Sequence, residues 1–410
     1  MSELGLSKGE GRTNNLADFS NFCNQKFHLR QRVQKIQDAR KRPEIPLGTL
    51  LLLLMGGLAL RRRSFHQIDL FARQPEARKW LGSDRRMVAS DATFWRVLPS
   101  VAASQLREEI LQTYLTLRRG GHGSLELPSG RRIRAGALDG SCLGGRYATA
   151  FELLGAHAAV IDVEPAEGKG KELVAAAAVL RRGVRTYGSG IVDLVMGDGL
   201  YITQKMLRLC REELRTHLLV KTTELDSLNI LQDAEAIFRA AASAARVERA
   251  EGIDEVRKLR YRIWAAQEFH HDGFSGELKV ARVQIEPLKG KNQGKVETFW
   301  VITTDLSLSA EDLRELAHLR WSIENHGFRA MNDQMNSKHQ WTRGVKAAAV
   351  FEVLMLLMLW TFLLILAYHA KLDPEQLWKT RRVRRVTLAY LVECWLLSLV
   401  SAGASFALTD

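Results

Sequence analysis

Three acidic residues lie in short stretches whose neighbours suit a reactive site: Asp139 in LDGS, Asp198 in GDGLY and Glu324 in RWSIEN. Their separations are 59 (198 − 139) and 126 (324 − 198) residues. Carboxylate oxygens are hard donors that select magnesium or manganese. Two such ions held about 3.5 to 4 Å apart activate a water or a 3′-hydroxyl and stabilise the leaving oxygen of an in-line displacement at phosphorus. Each pair of carboxylates at about 4 Å repels by roughly 4 kcal/mol at an effective dielectric of about 20, so protons or divalent cations must fill a site that gathers three. Glu324 also has a plainer reading. Arg320 lies four residues upstream, and an exposed ion pair at that helical spacing contributes only about 0.3 to 0.5 kcal/mol. Against it, Leu319, Trp321, Ile323 and Phe328 make at least one side of this helix pack inward, where a glutamate needs a stronger reason to exist.

The elements that position these residues follow from periodicity. RIRAGALDG alternates Ile133, Ala135, Ala137 and Asp139 on one face, which is strand-like. Gly144 and Gly145 turn the chain into YATAFELLG, and GAHAAVIDVE follows, so an antiparallel meander is expected. A helix comes next over 171–182. IVDLVMGDG is a nearly continuous apolar run, the mark of a strand buried on both faces, and it ends at Asp198. A helix over 201–215 and the strand HLLVKTT complete a β-β-β-α-β-α-β order. Strand-like pieces at 261–265, 278–285 and 296–304 read as a β-rich insertion over about 225–305. Ser309 then caps a helix with an acidic first turn, and the pattern carries it through RWSIEN with Leu313, Leu316, Leu319 and Ile323 as its apolar stripe.

The stretches LDGS, GDGLY and RWSIEN resemble the three catalytic motifs of the DDE transposases encoded by bacterial insertion sequences. The resemblance covers residues 130–345, and the second gap is long enough for the inserted β region of the hairpin-forming group. It implies an α/β fold with a ribonuclease H-like core, in which the first and fourth strands are neighbours. It also implies that Asp139, Asp198 and Glu324 are catalytic and bind two Mg2+ ions, with Mn2+ as a substitute. In that group the glutamate helix carries a Y-x2-R-x3-E-x6-K signature; Arg320 matches its arginine, whereas Ala317 and Met331 stand at the tyrosine and lysine positions. Arg329, His326 and Lys338 are the candidates to replace the missing DNA contacts. The resemblance further implies a base-stacking tryptophan on the last strand of the insertion, which points to Trp300 in ETFWVITTD, at about 1 to 3 kcal/mol per stacked base. The competing reading makes Trp300 plain core, because Val296, Trp300 and Ile302 share one face of the strand.

Other residues are weaker candidates. His270, His271 and Asp272 read as a polar loop more readily than as metal ligands, and Asp162 and Glu164 as solvated acids at the sheet edge. Cys142 reads as a small buried residue. Arg381, Arg382, Arg384 and Arg385 form a basic run that either faces solvent or touches DNA phosphates.

Composition frames these expectations. The chain has 410 residues, 46% of them hydrophobic, enough for two or three domains. Its 59 Lys and Arg against 46 Asp and Glu leave a net charge of +13, which suits a polyanionic partner. Six of the basic residues fall in FHLRQRVQKIQDARKR near the N-terminus, and SDATFWRVL, capped by Ser90, suggests a helix-turn-helix-like unit nearby. Four scattered cysteines without a CxxC pair, and a polar N-terminus, suit a reduced, nucleoid-associated location in the cytoplasm. The apolar runs at 47–60 and 353–368 fall short of the roughly 20 residues of a membrane span, so no membrane is expected. The expected domains are a basic helical DNA-binding region over 1–120, the catalytic domain over 130–345 and a helical region over 346–410. The expected function is cleavage of transposon ends in double-stranded DNA and strand transfer by a homodimer. The alternatives are a stand-alone two-metal nuclease and an inactive DNA-binding relative.

Overall fold

The computed structural model describes residues 15–83, 89–119, 123–155, 159–223, 229–240, 246–321, 323–341 and 347–372. The basic run at 381–385 lies outside the described residues, as does the side chain of His326. The chain divides into two compact units, Leu117–Ala330 and a second unit formed by Met1–Thr116 with Met331–Asp410.

The helical unit begins with α1 (Asn15–Phe27), α2 (Leu29–Gln34), α3 (Leu47–Ala59), α4 (Phe65–Ala72), α5 (Pro75–Leu81), α6 (Asp91–Val97) and α7 (Ala103–Arg118). Ser64 and Ser90 cap α4 and α6 by accepting from the backbone N–H of Gln67 and Thr93. Half of the basic run is used inside this unit. Arg30 donates to the carbonyls of Lys79 and Trp80, Arg32 pairs with Glu109, and Arg40 pairs with Asp38 at 2.7 Å. Lys35, Lys41 and Arg42 stay exposed.

In the second unit the strands are β1 (Leu125–Glu126), β2 (Arg132–Ile133), β3 (Ala135–Leu143), β4 (Arg146–Leu153), β5 (Ala159–Pro165), β6 (Leu194–Asp198), β7 (His217–Thr222), β8 (Glu248–Asp254), β9 (Leu259–Phe269), β10 (Leu278–Pro287) and β11 (Glu297–Thr303). The helices are α8 (Glu172–Tyr187), α9 (Gln204–Arg208), α10 (Asn229–Ala240), α11 (Ala310–Leu319) and α12 (Arg329–Met335), the last running on into the helical unit. Strands β3 to β11 form one nine-stranded sheet in the order β5-β4-β3-β6-β7-β11-β10-β9-β8. The first five positions are the expected meander followed by two parallel strands, an α/β arrangement of the ribonuclease H-like class. The insertion extends this same sheet. Its last strand, β11, returns antiparallel against β7 with Trp300 opposite Thr222 and Val301 opposite Lys221. The first insertion strand, β8, is mostly exposed and carries no apolar alternation, which is why the sequence pattern does not show it.

Two expected helices are interrupted. Over 201–215 the chain forms a short 3-10 turn capped by Asp198, then α9 capped by Thr203, then a π-helical turn over Leu209–Glu213. Side chains that cap local turns compete with one continuous helix. The capping box of Ser309 and Asp312 starts α11 as expected, but α11 stops at Leu319 and a π-helical segment, Ile323–Phe328, carries Glu324.

In the helical unit, α13 (Ala347–Leu372) is 26 residues long, and its stretch Ala347–Tyr368 is long and apolar enough to cross a membrane. The run read as 353–368 is therefore longer than it seemed, because Ala347 to Phe351 continue it. The most apolar part of that stretch is 89% buried within the protein. Trp360 is fully buried and its indole N–H donates to Thr113 Oγ1 at 2.9 Å, so α13 serves as core of the helical unit.

Candidate active site

Strand pairing sets the acidic centre. Parallel β3 and β6 pair with Ala135 opposite Leu194 and Ala137 opposite Met196. That offset is the spacing between Asp139 and Asp198, so the two carboxylates sit level, on the same face, where β6 ends beside the middle of β3. Side chains alternate along a strand, so Gly140 and Gly197 belong to the opposite face. That face of β3 is covered by α8, whose Glu172 side chain lies against Gly140.

Glu324 comes from the Asp139 side. The π-helical segment packs against β3, β4 and β5, and a Cβ on its Gly327 would meet Val160 and Glu152. Arg320, buried at the end of α11, donates from Nη2 to Glu324 Oε1 at 2.9 Å. Arg320 Nε and Nη1 are buried without an acceptor among the described residues. Single π-helical turns are frequent at functional sites, and here one brings a carboxylate over β3 to β5, whereas α11 packs on β7 to β11 of the same sheet.

The charges confirm proximity. Burial raises the Asp139 carboxyl to about 7; Arg320 pulls against that rise, while Glu324 and Asp198 add to it. Asp139 Oδ1 accepts from Gly140 N–H, and Asp198 Oδ1 from Leu200 N–H, both at 3.0 Å. In chemistry the donor set fits a divalent cation: hard oxygens, excess negative charge, and a buried carboxyl that ionises readily only beside a positive partner. Among the described residues no three His, Cys, Asp or Glu side chains already form a metal cage, and Glu324 is engaged by Arg320.

Several sequence expectations need correction. Trp300 is 3% exposed and stacks on Phe238, with ring centroids 6.1 Å apart. Register gives the reason: Lys221 pairs with both Asp198 and Val301, so Val301 shares the carboxylate face and Trp300 points to the other. Trp300 is core. Asp162 is buried and paired with Arg182 at 2.5 Å, and Glu164 joins the same guanidinium at 2.8 Å, so neither is simply a solvated edge acid. Cys142 is exposed near the end of β3. His271 and Asp272 lie in the β9–β10 connection as a polar loop. At the signature positions, Ala317 and Met331 are both buried. Arg329 is exposed at the start of α12, and Lys338 is exposed in the helical unit.

Two residues beside the acids escaped sequence reasoning. Lys221 Nζ lies 4.2 Å from the ring centroid of Phe299 and 4.9 Å from that of Trp321. Burial, with Arg320 beside it, pulls its ammonium down to about 8. Trp321 is 49% exposed, an unusual place for a large ring unless something covers it. The signal available in the sequence was the lysine in HLLVKTT, on the strand next to the one that ends at Asp198.

A sheet of this order, with two acids on adjacent parallel strands and a third on a following helical segment, is the arrangement of the ribonuclease H-like class. Residues 147–362, more than half of the chain, match the family model described as the transposase DDE domain, and the chain belongs to the DDE transposase family. The matched segment includes Asp198 and Glu324 and begins after Asp139. No curated protein matches the chain.

Proposed function

We propose that this transposase cuts the ends of its own element in double-stranded DNA and joins them to a target, with Asp139, Asp198 and Glu324 as catalytic metal ligands. The observation that carries this reading is the level placement of Asp139 and Asp198 on one sheet face, with Glu324 close enough to add to the rise that burial gives the Asp139 pKa. Two Mg2+ ions, or Mn2+ in their place, supply activation of the attacking oxygen and neutralisation of the leaving one. Arg320 orients Glu324 and offers its unbonded N–H groups to a phosphate oxygen. Two ends must be processed together, so the active complex is a homodimer, and its DNA is that of the nucleoid in the cytoplasm. The match of Arg320 and Glu324 supports the hairpin-forming group, with Arg329 and Lys338 as further backbone contacts.

The test is an assay on duplexes taken from the DNA flanking the gene. Mg2+-dependent cleavage followed by joining to a second duplex supports the transposase reading. Cleavage without joining favours a stand-alone nuclease on the same fold.

Trp321 and Lys221 form a ring and a cation at the edge of the acidic centre, suited to a base or sugar and its phosphate. Trp321→Ala is expected to weaken binding of end DNA by about 1 to 3 kcal/mol, the range of a lost base stack, with little change in melting temperature. Trp300→Ala is expected to do the reverse, costing about 3 to 5 kcal/mol of stability as a core truncation. Gel-shift titration and thermal unfolding of both variants check this. Equal DNA affinity of Trp321→Ala and wild type sinks the contact.

A further inference from the structure

Behind the aspartates, on the sheet face away from them, lie two buried polar groups that the chemistry above does not use. Tyr201 is 1% exposed and Glu172 is 7% exposed. The Tyr201 hydroxyl and Glu172 Oε2 are both buried with no hydrogen-bond partner among the described residues. Their positions are tied to the aspartates through glycines. A Cβ on Gly140, the residue after Asp139, would lie 2.5 Å from Glu172 Cγ. A Cβ on Gly197, the residue before Asp198, would lie 2.6 Å from the Tyr201 ring. Each buried group therefore presses directly on the backbone next to one aspartate, and no other residue type fits either position without displacing it.

A buried hydroxyl or carboxylate without a partner costs about 1 to 3 kcal/mol or more, so two such groups in one small region need a reason to persist. Tyr201 supplies a donor. Burial and the surrounding charges of Asp139, Asp198 and Glu172 push its hydroxyl far above the ordinary tyrosine value, so it keeps its proton. Glu172 supplies the acceptor. It opens α8, where the helix N-terminus favours a negative charge, and the Thr149 hydroxyl donates to its backbone carbonyl at 3.3 Å.

We infer that Tyr201 and Glu172 are a pair of positioning residues for the acidic centre: the Tyr201 O–H donates toward Glu172 through one water, and together they hold the backbone beside Asp139 and Asp198 at the spacing that metal binding by the two aspartates requires. This rests on the reading of those aspartates as metal ligands. Outer partners of this kind shift metal affinity by about 10- to 100-fold when lost. A purely structural role, with Glu172 serving only the end of α8 and Tyr201 only filling space, predicts a change in stability and none in metal affinity.

The experiment titrates Mn2+ alone into the full-length protein by calorimetry, alongside thermal unfolding, for wild type, Tyr201→Phe, Glu172→Gln, Glu172→Leu and the Glu172→Leu/Tyr201→Phe double variant. Tyr201→Phe and Glu172→Leu are each expected to weaken Mn2+ binding roughly tenfold or more. Glu172→Gln keeps an acceptor oxygen and is expected to stay near wild type. The double variant is expected to be no weaker than the weaker single variant, since either change alone breaks the pair. Wild-type Mn2+ affinity in Tyr201→Phe, which adds no bulk and serves even if Glu172→Leu does not fold, overturns the inference, as do losses that multiply in the double variant. A wild-type protein that neither binds Mn2+ nor cleaves DNA instead overturns the assignment of the aspartates.

Discussion

Asp139→Asn, Asp198→Asn and Glu324→Gln are each expected to lose Mg2+-dependent cleavage by more than the roughly 10- to 100-fold that removal of an outer-shell partner costs, while DNA binding persists. Each substitution keeps the side-chain volume and one acceptor oxygen, so the fold has no reason to fail. What it removes is charge, and in a site that binds cations through hard oxygens charge is the main part of the affinity. The three variants should differ in how they lose it. Asp139 and Asp198 are fixed to adjacent strands by a register that does not depend on ligands. Glu324 is carried by a π-helical turn and engaged by Arg320, so Arg320→Ala releases it. That variant is expected to keep more cleavage than Glu324→Gln, with part of the loss restored by raised Mn2+. Cleavage at the wild-type rate by any one of the three carboxamide variants removes that residue from the set of ligands.

The level placement of Asp139 and Asp198 was legible only in part: β6 stops at its acid, but β3 runs on past Asp139 to Leu143, and the pairing offset that equals their separation appears only in the sheet. A doubly buried strand such as β6 leaves little freedom over where its last residue emerges. Glu324 was legible as a motif and misread as geometry. Leu313, Leu316 and Ile323 are fully buried and Leu319 is half-buried, so most of the apolar stripe holds, but α11 ends at Leu319. A stripe of buried residues survives a change of helical pitch that periodicity alone does not detect. That change is also why Trp321, an apolar flank by pattern, emerges half exposed.

Trp300 shows a different limit. Alternation correctly separates Trp300 from Phe299 and Val301, but it does not say which of the two faces holds the acids. Only the chain of pairs from Asp198 to Lys221 to Val301 settles that, and it spans three strands far apart in sequence. The insertion was likewise legible in its three apolar strands, while its attachment to β7 was not, because the apolar run of β11 marks a buried strand without saying which strands flank it. Glu172 reads as an ordinary acid in the first turn of a helix. Its burial against Gly140 appears only when α8 is laid on the sheet.

Asp139→Asn is also expected to stabilise the metal-free protein, and to do so more as pH rises. An aspartate in an unfolded chain loses its proton near 3.8, whereas burial holds that of the folded protein to about 7. Between those values the folded state binds the extra proton, so stability falls as pH rises through the window and reaches its low plateau above 7. The cost at pH 8 is on the order of a few kcal/mol. The asparagine variant has no proton to lose and escapes it. Melting temperatures of wild type and variant should therefore nearly coincide close to pH 4 and separate by pH 8, with the variant higher. Mn2+ at about a hundred times its dissociation constant should then reverse the order at pH 8, because it adds roughly 2.7 kcal/mol to the wild type and little to a variant that has lost a ligand. A wild-type melting profile parallel to that of the variant from pH 4 to 8 would mean that Asp139 ionises freely in the folded protein. In that case the burial of Asp139 beside the other acids is not what prepares this site for a cation.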